Sequence, residues 1–123
     1  MRTIKFRFVK NNKVVGFQEL KSGSIMDMSY DWDFANQFTG LLDSCGKEIY
    51  EGDVCNVRRY NSKTWEIVTV KWSDVYAMFS FRGYYQKQPS DFYGLRIEEA
   101  EEREVIGNIY ENPELLKGEK HDG

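Results

Sequence analysis

The sequence predicts a mainly β domain: an N-terminal β-hairpin, a small closed or nearly closed β-barrel, and one short C-terminal helix. Three observations carry this reading. Apolar residues alternate with charged ones near the N-terminus, short strand-like runs recur between polar turns after residue 52, and a single helix-start signal stands near the C-terminus. At 123 residues, with 41% apolar and 15% aromatic content, the chain is one domain's worth and can build a packed core.

Ile4, Phe6 and Phe8 alternate with Lys5 and Arg7, the period of a strand with one buried and one wet face. Asn11 and Asn12 make a turn, and Val14 to Leu20 returns as the second arm of a hairpin. An isolated hairpin is marginal in water, so its apolar face must pack on something. Between Lys21 and Gly40 the pattern weakens. Ser22 to Ser24 reads as a loop, Ile25 to Met28 as a stretch open to extension, and Asp31 to Phe38 as a short helical turn or an irregular segment.

The stretch Gln37 to Asp53, QFTGLLDSCGKEIYEGD, is dense in turn and strand-start residues. Asp43 stands first in a four-residue turn, where its carboxylate can cap amides, and Gly46 stands last, where a left-handed backbone carries no Cβ penalty. Lys47 to Tyr50 extends briefly before Glu51-Gly52-Asp53 turns the chain again. Five strands are then expected, over Val54–Tyr60, Thr64–Trp72, Tyr76–Phe81, Phe92–Ile97 and Arg103–Tyr110, with a longer loop from Arg82 to Asp91. Closure of such a set removes edges that would aggregate. Asn112-Pro113-Glu114 supplies an N-cap, a proline at the first helical position and an acid in the first turn, so a brief helix should finish the fold. Residues 117–123 read as a frayed tail.

At these residues the chain resembles the YopX family of small proteins, most of them encoded by bacteriophages and prophages. The matching marks are QFTGL at Gln37 to Leu41, D-x-x-G-K-E-I-Y-E-G-D at Asp43 to Asp53, V-I-G-N-I-Y-E-N-P-E-L-L at Val105 to Leu116, and the opening R-x-I-K-F-R at Arg2 to Arg7. Cys45 departs from a family position that tends to be polar. The resemblance covers the full domain and implies a β-rich fold containing a small barrel of the Src-homology-3 type; the chain reads as a single domain over 1–123, with a hairpin and irregular segment over 1–40 and the barrel with its helical turn over 41–116. The resemblance also implies a phage or prophage origin, and it brings no catalytic motif.

Several chemistries lack their residues. Cys45 and Cys55 are ten positions apart and the one histidine, His121, lies in the tail, so no ordinary zinc set or Cys-His nucleophile pair can be assembled; no cofactor or metal is expected. A Cys45–Cys55 disulfide would need an oxidising compartment. Met1 to Asn12 alternates charge with apolar residues instead of presenting a secretory segment, so free thiols in the cytoplasm of a bacterial host are the expectation. Glu48, Glu51 and Asp53 form the material for a remote alternative, a carboxylate-based enzyme or metal cluster, but carboxylates beside glycine at turns ordinarily solvate the turn and cap amides.

Net charge is −3, unevenly spread: residues 1–21 carry six bases against Glu19, and residues 98–123 carry nine acids against three bases. Ends of opposite sign attract within a monomer or favour a head-to-tail assembly, unless both are simply solvated. Ten aromatics crowd into residues 60–93, more than a small barrel needs to fill itself. Trp65, Trp72, Phe79 and Phe81 are expected in the core; Tyr60, Tyr84, Tyr85 and Tyr93 are the candidates for partner contact. The expected function is therefore a non-catalytic phage accessory protein that binds itself or a host or phage protein, with no membrane role. The alternative is a single-stranded nucleic-acid binder using Arg58, Arg59, Lys63, Trp65 and Lys71, opposed by the net acidic charge and the Glu98 to Glu104 run.

Overall fold

The computed structural model describes residues 3–21, 31–74, 76–83 and 95–117. The mainly β class holds: among the described residues nine strands form two antiparallel sheets, followed by one four-residue helix. The first sheet takes β1 (Ile4–Lys10), β2 (Lys13–Leu20), β3 (Phe34–Leu42) and β4 (Glu48–Tyr50) in the order β2-β1-β3-β4. The second takes β5 (Asp53–Arg59), β6 (Trp65–Ser73), β7 (Met78–Gly83), β8 (Leu95–Arg96) and β9 (Ala100–Asn108) in the order β8-β7-β6-β5-β9.

The predicted hairpin forms with its two-residue turn at Asn11 (φ 52°) and Asn12 (φ 62°). Left-handed backbone at both central positions is the geometry whose twist matches the flanking strands, and asparagine tolerates it. Past the turn a bulge between Phe8 and Val9 shifts the register, so Phe8 faces Gly16 and Val9 faces Val14. The segment 31–38, read as helical or irregular, instead opens β3, which pairs with β1 through Phe6↔Gln37 and Val9↔Phe34. Its inward positions are Asn36 and Phe38, both buried. A polar residue at an inward position breaks the apolar period from which a strand is read.

The second sheet is a meander from β5 to β8, with β9 returning beside β5 over a long register from Asp53↔Asn108 to Arg59↔Ala100. One core gathers Ile49, Cys55, Val57, Val68, Val70, Phe81, Leu95, Ile97 and Ala100, with Leu41, Phe79 and Val105 packed around it. Full burial of side chains such as Phe81 and Ile97 contributes roughly 1.5–3 kcal/mol each. Closure of the barrel is not found among the described residues. Among the described residues β8 contributes Leu95 and Arg96 and does not pair with β9. The chain crosses the gap by a 3₁₀ turn at Ile97–Glu99, and the Arg103 side chain of β9 spans it, donating from Nη1 to the Ile97 carbonyl (2.8 Å) and from Nε to the Leu42 carbonyl (3.0 Å).

The expected core positions of Trp65 and Trp72 are corrected: they are 45% and 44% exposed, whereas Phe81 is buried and Phe79 half-buried. Strand β6 buries Val68 and Val70. Trp65 has the opposite parity, and Trp72 shares theirs but lies beyond the core at the strand end, edge-on to Phe79 with centroids 5.1 Å apart. The brief helix α1 (Glu114–Lys117) is present. The tail after 117, the stretch Ile25 to Met28, and most of the loop from Arg82 to Asp91 lie outside the described residues. Among the described residues no helix is long and apolar enough to cross a membrane.

Candidate functional site

The two sheets are joined by a buried polar cluster. Arg7, on the same side of β1 as Lys5 and Val9, is 5% exposed and meets Asp53, 1% exposed, at the start of β5. Its Nη1 lies 2.6 Å from Asp53 Oδ1, its Nε and Nη2 both donate to Asn36 Oδ1 (3.2 and 3.1 Å), and Nη2 also donates to the Glu51 carbonyl (3.1 Å). The guanidinium lies 4.9 Å from the centre of the Tyr50 ring. Asp53 Oδ2 accepts the Tyr50 amide at 2.8 Å, and Asn36 Nδ2 donates to the Tyr110 hydroxyl at 2.9 Å. Burial pushes the Asp53 carboxyl above its ordinary range, a pull that the guanidinium and the Tyr50 amide oppose without cancelling. Gly52 makes the arrangement fit: at φ 90° it turns the chain between Glu51 and Asp53, and a Cβ there would stand 3.3 Å from the Tyr110 ring.

Above this cluster opens a cleft of about 400 Å³ between the hairpin, β4, β9 and the turn before α1. Phe17, Tyr50 and Ile106 give it apolar surface; Lys47, Glu48, Asn108 and Glu111 give it polar surface. Three of these polar groups, Glu48, Asn108 and Glu111, are already engaged. Glu48 accepts from Lys5 Nζ (3.0 Å) and from the Tyr50 hydroxyl (2.9 Å). Burial, then Glu48, push that hydroxyl far above its ordinary value, so it holds its proton at any physiological pH. Glu111 accepts the Val14 amide of β2 (2.8 Å) and Asn108 Nδ2 (3.1 Å); the Val14 amide and the Asn108 side chain outweigh desolvation and hold its carboxyl below the usual range. These contacts tie the cleft's side chains to one another and to the flanking strands.

The turn-rich motifs prove to be stitching. Asp43 accepts the amides of Cys45 (2.9 Å), Lys47 (2.8 Å) and Val105 (2.9 Å), while Ser44 takes the Arg103 amide on its hydroxyl (2.9 Å) and donates its own amide to the Arg103 carbonyl (2.7 Å). The turn thereby covers the free edge of β9. In the second motif Asn108 Oδ1 accepts the amides of Tyr110 and Glu111, and Asn112 Oδ1 accepts that of Asn108.

The residues singled out from sequence fall in three places. Arg58, Arg59, Lys63 and Trp65 gather at the turn end of the β5–β6 hairpin with Tyr60, which is 61% exposed; Lys71 lies farther along β6, exposed. Arg58 stands 5.9 Å from the Trp65 ring but pairs with Glu101 (3.1 Å) and Glu102 (3.2 Å), and Arg59 pairs with Glu66 (2.9 Å). Tyr84, Tyr85 and Tyr93 lie outside the described residues. Of the three carboxylates, Glu48 and Asp53 are engaged with Lys5 and Arg7, and Glu51 offers its carbonyl to Arg7; no group of three metal-ligating side chains occurs among the described residues. Sequence reasoning missed Arg7, Asn36 and Glu111. It also missed a second groove of about 360 Å³ lined by Leu41, Trp72, Met78, Phe79 and Glu98. The available signal for Arg7 was its place opposite Phe6 and Phe8, which reads equally as a solvated face.

The fold and its internal network define a two-sheet β domain with a cleft where the hairpin, β4 and β9 meet. A family described as YopX protein matches residues 5–117, and the chain belongs to it. Among solved structures it is similar to "protein EF1440 from Enterococcus faecalis" at 20% identity, over 94% of this chain and 99% of that one, with a TM-score of 0.54, a likeness of fold. Comparison with curated proteins gives no match.

Proposed function

We propose that this chain is a non-catalytic binding module of phage or prophage origin, acting in the bacterial cytoplasm by holding another protein or a second copy of itself. The observation that carries this reading is the set of large aromatic side chains on or beside the strands that stay about half exposed: Phe17 at the cleft, Trp72 at the second groove, and Tyr60 and Trp65 at the hairpin end. Aromatic rings of this kind give large contact area at low entropic cost. The engagement of Glu48, Asp53 and Glu111 in pairs and amide contacts further favours recognition over catalysis. The nucleic-acid reading loses support from the same geometry, because both arginines of its patch already carry carboxylate partners that phosphates would have to displace.

Light scattering on the purified chain at two concentrations, with a pulldown from host lysate, tests the proposal. A stable oligomer or a retained partner is expected, weakened by Phe17→Ser or Trp72→Ser. A strict monomer that retains nothing would overturn it.

A further inference from the structure

We propose that the groove between the end of β3 and the β6–β7 hairpin docks a short extended peptide segment carrying aliphatic side chains next to a lysine or arginine. This rests on reading the chain as a binding module and adds the chemistry of the partner.

The groove has about 360 Å³. Two turns of an α-helix, about 10–12 Å across, would need on the order of 1,000 Å³. An extended segment setting a few side chains into the groove fits. Its lining is mixed: Leu41, Met78, the Trp72–Phe79 pair and buried Ile97 supply apolar side chains, beside Thr39, Glu98 and exposed polar backbone. The edge-to-face contact at 75° holds the half-exposed indole in place, as a binding anchor requires. The Thr39 hydroxyl is already committed, donating to the Ile49 carbonyl (2.8 Å) and accepting the Leu41 amide (3.2 Å).

Charge decides what else the partner carries. Glu98 lines the groove, exposed, with no hydrogen bond or ion pair among the described residues. Its unpaired negative charge complements a cation on the ligand and disfavours an acidic one. An independent mark lies on the β6–β7 turn. Ala77, which also lines the groove, sits at φ 52°, a left-handed conformation that an L-residue with a Cβ adopts only under strain. Strain of this kind collects at ligand clamps.

The test uses the full chain and immobilised hexapeptide libraries with two positions drawn from Leu, Ile, Val and Pro and one fixed as Lys, against matched libraries with Glu at that position. The Lys library should be enriched and the Glu library not. For a selected Lys peptide, Trp72→Ala should weaken binding at least ten-fold, and Glu98→Lys roughly two- to five-fold in a salt-sensitive manner. Both substituted side chains are at the surface, and an unchanged unfolding midpoint verifies the fold. Equal recovery of both libraries, no recovery, or affinity unchanged in either variant would overturn the proposal. Should an oligomer or a lysate partner persist undiminished in Trp72→Ala, the groove assignment falls while the binding-module reading stands.

Discussion

The carboxylate of Asp43 accepts the backbone amide of Val105, 62 positions later in the chain, at 2.9 Å. The same carboxylate closes its own turn through Cys45 and Lys47, so one side chain fixes both the turn and the strand edge it covers. Burial pushes the Asp43 carboxyl up, but the three amides together hold it below its ordinary value of 3.8.

Because that folded value is depressed, the contribution of Asp43 to stability is fully present above the unfolded value and is lost as pH falls below about 4. Asp43→Asn should cost roughly 1–3 kcal/mol near neutral pH, since an amide nitrogen would face a backbone donor in either orientation. Urea unfolding at pH 7 and pH 3 checks both points: the variant's deficit should shrink at the lower pH.

Removing Arg7 leaves the buried Asp53 charge without its partner. Arg7→Met should destabilise by about 3–5 kcal/mol, and the double change with Asp53→Leu should cost less than the single one. A double-mutant cycle by denaturant unfolding measures the coupling.

Gly107 faces Asn112 so closely that a Cβ would stand 2.5 Å from its Oδ1. Gly107→Ala should cost roughly 1–3 kcal/mol by forcing Asn112 off the Asn108 amide. Adding Asn112→Gly should recover part of that loss, seen as a partial return of the thermal midpoint.

Ala77→Gly relieves a left-handed conformation and should stabilise the chain by roughly 0.5–1 kcal/mol, the relief being offset in part by the freer unfolded chain. Thermal unfolding reads the gain.

The two cysteines should differ sharply. Burial, then nearby Asp53 and Asp43, drive the Cys55 thiol far up from its usual value, while Cys45 stands exposed at the turn. Iodoacetamide at neutral pH should label one thiol in the native protein and two after denaturation, counted by mass.

Most of the strand pattern was legible because hairpins and meanders declare themselves locally. The Asn11-Asn12 turn, the strands flanking residues 61–64 and the turn-capping part of Asp43's role could all be read from neighbouring residues. What stayed hidden depended on distant partners. β3 carries Asn36 inward because Arg7 and Tyr110 bond to it there, and no local pattern announces those bonds. Trp65 and Trp72 look like core residues by type; their exposure follows from the phase of β6 and from where the core ends along it. The cleft takes one wall from the hairpin and another from β9, which only the assembled sheets bring together.

The Arg7–Asp53 contact makes the chain indivisible for anyone wishing to shorten it. A fragment starting near residue 41 would keep every strand of the second sheet but forfeit the cation that offsets an interior anion, along with the cover over one end of the core. Expression trials on such a piece should yield insoluble material.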